Sequence, residues 1–170
     1  MPHIFVPDHI YGEFDHRLEF FVPVRPKPME RGRVTRGTKF PTVYTVQEDY
    51  AYQDQVKQAF DRGALDSSDP IIYPWLGPCF ITCHFLFAKP KAWYPGKPFS
   101  RSPDLDNLLK NVLDAMNAIK HKKTKEGKVI ERSIGAWADD RQVCGFYGTK
   151  SYFDHEGTLV VIDFYKKDED

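Results

Sequence analysis

Apolar positions along this chain follow two rhythms, one of period two and one of period 3.6. LEFFVPV at 18–24 is apolar and aromatic and reads as a β-strand, with Pro23 marking an edge or a strand end. Between 46 and 62, Tyr52, Val56, Ala59 and Phe60 fall at helical spacing, and Gly63 is the expected stop. CFITCHFLFA, 79–88, alternates Phe with β-branched residues and predicts a second strand. From Leu105 to about Ile119 the chain predicts an amphipathic helix, whose wide apolar face carries Leu105, Leu108, Leu109, Val112, Leu113 and Met116. CGFYGTKSYF and TLVVIDFY flank DHEG, which reads as a hairpin closed by Gly157. The order β-α-β-α-β-β predicts an α+β fold, a single mixed sheet with helices packed on it.

The connections are polar. Residues 25–42 read as a long loop rich in Pro, Gly and Arg, and KPKAWYPGKPFSRSP as a second loop leading to the helix at 105. HKKTKEGKVIERSIG reads as a charged insertion at about 120–135. Residues 1–17 show no periodicity and form an N-terminal extension to one domain at 18–170. No internal repeat is present.

Composition narrows the class. With 170 residues, 41% hydrophobic and 15% aromatic, the chain can bury a core. No apolar run reaches membrane-spanning length, and MPHIFVPDHIYGEFDH lacks the charged and apolar regions of a signal peptide, so a cytoplasmic protein is expected. Three cysteines, Cys79, Cys83 and Cys144, do not make a disulfide framework. A zinc site on Cys79, Cys83 and His84 lacks the spacing of the common fingers, and free thiols are the better reading.

Charge sums to zero, 24 basic against 24 acidic residues, which by itself argues against a nucleic-acid partner. Its distribution changes that picture. Residues 25–39 hold Arg25, Lys27, Arg31, Arg33, Arg36 and Lys39 against Glu30, and residues 89–101 hold Lys89, Lys91, Lys97 and Arg101 with no acid. Two basic strips thus flank an acidic centre, and either could also be a plain solvated loop. Trp93, Tyr94 and Phe99 interleave with the second strip. They could stack on unpaired bases, but packing over the sheet is the favoured reading.

The acidic centre begins at SRSPDLDNLLK. Asp104 sits at the expected N-cap, and Asp106 falls in the first turn, where the helix dipole favours a carboxylate. Either is ordinary alone, but both together repel. A second doublet, Asp139-Asp140, precedes the next strand. If helix mouth and strand entrance meet, four carboxylates share one region and call for a divalent cation. Oxygen ligands suit Mg²⁺ or Mn²⁺ rather than Zn²⁺, and Mg²⁺ with open positions serves phosphoryl chemistry. Lys110 lies one turn after Asp106, where it could pair with that acid or stabilise a phosphate. Asn107 reads as a capping amide or one that supports a ligand from behind.

PDLDNLLKNVLDAMN followed by WADDRQV resembles the signature of the RusA family of Holliday-junction resolvases, in which D-x-D-N-L-x-K opens a helix and D-D-x-Q-V opens a strand. The resemblance covers roughly residues 18–165. It implies that Asp104, Asp106 and Asp140 bind the metal, that Asp139 is an accessory acid, that Lys110 is the catalytic-site lysine, and that Lys150 contacts DNA. With the basic strips, the expected DNA-binding set is Arg25, Lys27, Arg31, Arg33, Lys97, Arg101 and Lys150. The resemblance also implies a homodimer that makes paired symmetric nicks in a four-way junction. A flap or fork nuclease of the same fold, and a non-catalytic DNA-binding protein that keeps it, are the alternatives.

Overall fold

The computed structural model describes residues 12–30, 33–34, 43–44, 47–69, 71–118 and 134–167. Arg31, Arg36, Lys39, most of the 1–17 extension and most of the 120–135 insertion lie outside the described residues.

Among the described residues, six strands and two α-helices follow in the order β1 (His16–Val22), β2 (Arg33–Val34), β3 (Val43–Tyr44), α1 (Gln47–Asp66), β4 (Cys79–Ala88), α2 (Leu105–Met116), β5 (Val143–Phe153) and β6 (Gly157–Phe164). Four of the strands make one mixed sheet in the order β1-β6-β4-β5, with only β4 and β5 parallel. This is the expected α+β architecture. The polar stretch 25–42, expected as loop throughout, includes one partner of a two-residue ribbon between β2 and β3.

Strand chemistry sets the order of the sheet. β4 is buried from Cys79 to Phe87 on both faces and takes an inner position. β6 is nearly as buried and lies between β1 and β4. β5 carries two glycines and stays half-exposed along most of its length, which suits an edge. The expected β5–β6 hairpin is therefore not formed: the turn after Phe153 carries the chain past the end of β4, and Gly157 pairs with Leu86 instead. Gly157 serves close packing, because a Cβ there would collide with the Phe21 ring.

The helices cover one sheet face. Their core joins Leu18, Phe20 and Val22 of β1, Ile81, Cys83, Phe85 and Phe87 of β4, and Ile162 and Phe164 of β6 with Val56 and Phe60 of α1 and Leu108 and Val112 of α2. α1 runs past Gly63, the expected stop, to Asp66. A Cβ at Gly63 would stand 2.9 Å from Phe20 Cβ, so this glycine lets helix and strand approach closely. α2 ends at Met116 rather than near Ile119 because Asn117 turns extended and pairs with Trp137. The Asn117 side chain accepts from the indole N–H of the fully buried Trp137 at 2.9 Å. The three cysteines form no disulfide: the thiols of Cys79 and Cys83 are buried and that of Cys144 is at the surface.

Candidate functional site

The mouth of α2 is built by β5 and the loop beside it. Leu105 packs on Gly148, with its Cδ1 3.4 Å from where a Cβ would stand. Residues 96–99 run along the outer edge of β5: Gly96 donates to Tyr152 O, Tyr152 to Lys97 O and Phe99 to Lys150 O, at 2.7, 2.8 and 3.0 Å. That covers an otherwise open strand edge. Phe99 stacks on Phe87 with centroids 4.0 Å apart, and Trp93 meets Tyr152 edge-on at 4.7 Å. Both aromatics are thus packed as favoured, while Tyr94 stands 66% exposed. Lys97 lies over the Trp93 ring at 3.6 Å, and Arg101 is exposed.

The first basic strip is tied to the same mouth. Met29 donates its backbone N–H to Asn107 O at 2.9 Å. Asn111, fully buried, donates to Lys27 O at 3.2 Å and accepts from Gln53 of α1 at 2.9 Å. Arg25 reaches Glu156 at 3.4 Å and is mostly exposed. The described part of the first strip, 25–30, and residues 96–101 of the second therefore run past the start of α2. Arg33 falls in β2. Asn107 contributes through its backbone carbonyl, and Asn111, which periodicity placed simply in the helix, is the buried amide that joins strip to helix. Its isolation as a polar residue among Leu108, Leu109 and Val112 was the available signal.

Asp104 holds the N-cap position with extended backbone (φ −72°, ψ 143°), and its carbonyl accepts from Leu108 N at 3.2 Å. Its carboxylate, however, makes no cap hydrogen bond. Among the described residues neither Asp104 nor Asp106 is engaged in a side-chain hydrogen bond or ion pair, and both are exposed. Two like charges one residue apart thus stand open to solvent at the positive end of a helix. Lys110 does not pair with Asp106; its ammonium meets Asp114, 3.3 Å away, at an exposed i,i+4 contact that holds it only weakly. Lys150 Nζ donates to the carbonyls of Arg101 at 2.9 Å and Pro103 at 2.6 Å.

The second doublet is held differently. Asp139 caps a short 3₁₀ turn, Asp140–Gln142, that leads into β5. Its carboxylate accepts from Arg141 three times, from the backbone N–H and Nε at 2.9 Å and from Nη2 at 3.0 Å. These bonds, the Arg141 side chain first, hold its pKa down at about 2. Asp139, expected as an accessory acid beside a metal, is thus occupied by its neighbour's guanidinium. Asp140 is exposed.

The doublet and the helix mouth do not meet in the single chain. The mouth sits beside Gly148 and Lys150 of β5, whereas the doublet lies at the other end of the approach to that strand, ahead of Val143. Among the described residues no three carboxylate, imidazole or thiol groups are gathered so as to hold a metal ion. The expected four-carboxylate cage is absent as a finished site. The donor chemistry of Asp104 and Asp106 nevertheless suits a hard cation: two free carboxylates, open to solvent, with room for further oxygen ligands. Mg²⁺ is commonly held by one or two carboxylates together with substrate phosphates rather than by an all-protein cage.

A family model described as endodeoxyribonuclease RusA matches residues 23–125, more than half of the chain. The match takes in both basic strips and all of α2, and ends before Asp139. A comparison with curated proteins returned no match. No helix among the described residues is long and apolar enough to cross a membrane.

Proposed function

This chain belongs to the RusA endodeoxyribonuclease family, and from that premise we propose that it cleaves branched DNA at the mouth of α2, with Asp104 and Asp106 as the central acids. The observation that carries this reading is the free carboxylate of Asp104. A residue at an N-cap that declines to cap, next to a second free acid, is better explained by chemistry than by helix stability.

In this reading Asp104 and Asp106 would hold Mg²⁺ or Mn²⁺. Such a cation supplies a water of lowered pKa and neutralises charge on the phosphate. The protein's part is to place and orient. Lys110, one turn beyond Asp106, offers an ammonium to the phosphate in exchange for its weak contact with Asp114. Arg25, Lys27, Lys97 and Arg101, with Arg31 and Arg33 on the same strip, draw the DNA backbone towards the acids, so affinity falls steeply with salt. Asp140 is the candidate third ligand. Asp140→Asn tests that part: wild-type cleavage in that variant removes Asp140 from the site.

Resolution of a four-way junction needs two symmetric nicks, which a two-fold homodimer provides. Side-by-side digestion of a four-way junction, a flap and a linear duplex tests the substrate. Paired nicks in the junction, with flap and duplex largely intact, are expected. Preferred flap cleavage would replace the resolvase reading with a flap nuclease, and binding without cleavage of any substrate would leave a DNA-binding protein.

A further inference from the structure

We propose that Lys150 is a positioning residue for the Asp104–Asp106 pair, acting on the backbone that presents them, and not a contact to DNA phosphate. The inference rests on the reading of that pair as the cleavage site.

Lys150 lies in β5 opposite Phe85, a core residue of β4, and between Gly148 and Tyr152 on the helix-facing side. From there its ammonium turns to the loop before α2. It has three N–H groups. Two go to carbonyls, Arg101 O at 2.9 Å and Pro103 O at 2.6 Å, and the Phe99 ring lies 5.6 Å away. Its own backbone carbonyl accepts from Phe99 N at 3.0 Å. Residue 150 thus grips the loop at 99, 101 and 103. The last grip is the carbonyl of the peptide bond that joins Pro103 to Asp104.

That grip matters because the helix mouth lacks the usual one. With no cap bond from Asp104, the direction of the first turn is set from outside, by Leu105 on Gly148 and by Lys150 on Pro103. A charged donor makes short, strong bonds to carbonyls, and it brings a positive charge next to two like negative ones. An ammonium with two of three donors engaged this way is poorly placed to exchange them for phosphate.

Lys150→Met and Lys150→Gln in the full chain test this, the second keeping a polar side chain should the first fail to fold. Hydrogen–deuterium exchange of peptides covering 99–107 should quicken by about tenfold or more, with β4 and β6 unchanged. Junction affinity without divalent metal, and the slope of log affinity against log salt, should stay at wild-type values. The cleavage rate at saturating junction should fall by about 10–100-fold. The proposal is overturned if exchange at 99–107 is unaltered, or if the salt slope drops by about one, as loss of a phosphate contact requires. Should the wild-type protein cut no DNA, the nuclease reading fails on its own, while exchange and salt slope still decide the role of Lys150.

Discussion

The side-chain oxygen of Gln142 accepts from the backbone N–H of Asp139 at 3.1 Å, and the same oxygen accepts from Ala138 N at 2.9 Å. Its amide nitrogen donates to the carbonyls of Trp75 and Gly77, at 2.8 and 2.9 Å. One amide thereby ties the acidic turn to the chain entering β4. Gln142→Leu removes all four bonds and leaves their backbone partners unsatisfied. It should lower stability by about 1–3 kcal/mol in urea unfolding. A wild-type midpoint would show that the turn is held by something else.

Gly63→Ala makes a second test of packing. By helix propensity alone the change should stabilise α1 by up to about 1 kcal/mol. The new Cβ, however, would stand 2.9 Å from Phe20 Cβ. Both atoms are stiffly held, so a net loss of about 1–3 kcal/mol is expected from overpacking. A stabilised variant would mean that α1 and β1 are further apart than described.

These two residues show what the sequence could and could not reveal. The periods of the apolar positions placed β4 at its observed limits and put Leu108, Leu109, Val112 and Met116 of α2 in the core. They did so because burial there follows directly from local pattern. Gly63 misled because a glycine required for close approach and one required to end a helix look alike in sequence. Gly157 misled in the same way, since DHEG has hairpin chemistry whether or not its flanking strands pair. The edge character of β5 was nonetheless visible in its two glycines and polar residues, against the nearly unbroken apolar run of β6. At the site, the motif pointed to the acids but not to their partners. Arg141 lies next to Asp140 in sequence, yet only the turn geometry directs it onto Asp139. Lys150 reads as a basic surface residue until its two carbonyl partners are known.

Asp139 yields a titration prediction. Its carboxylate is held at about 2, below the ordinary 3.8, chiefly by the Arg141 side chain and then by the Arg141 backbone N–H. A lowered pKa in the fold means that the stabilisation is complete above pH 4 and is lost as pH falls through about 2. Carbon NMR of the carboxylate should therefore show a midpoint near pH 2 that moves towards 3.8 in Arg141→Ala. A midpoint already near 3.8 in the wild type would contradict the pairing.

The most direct test of the central claim is cleavage of a synthetic four-way junction in Mg²⁺ by the wild type and by Asp106→Asn, at matched junction occupancy. Asp106 is exposed, so its amide variant should fold and bind junction as the wild type does. The expected result is paired nicks from the wild type and a rate lower by about a hundred- to a thousandfold in Asp106→Asn, the scale of losing a central electrostatic group. Cleavage at the wild-type rate in that variant would contradict the account.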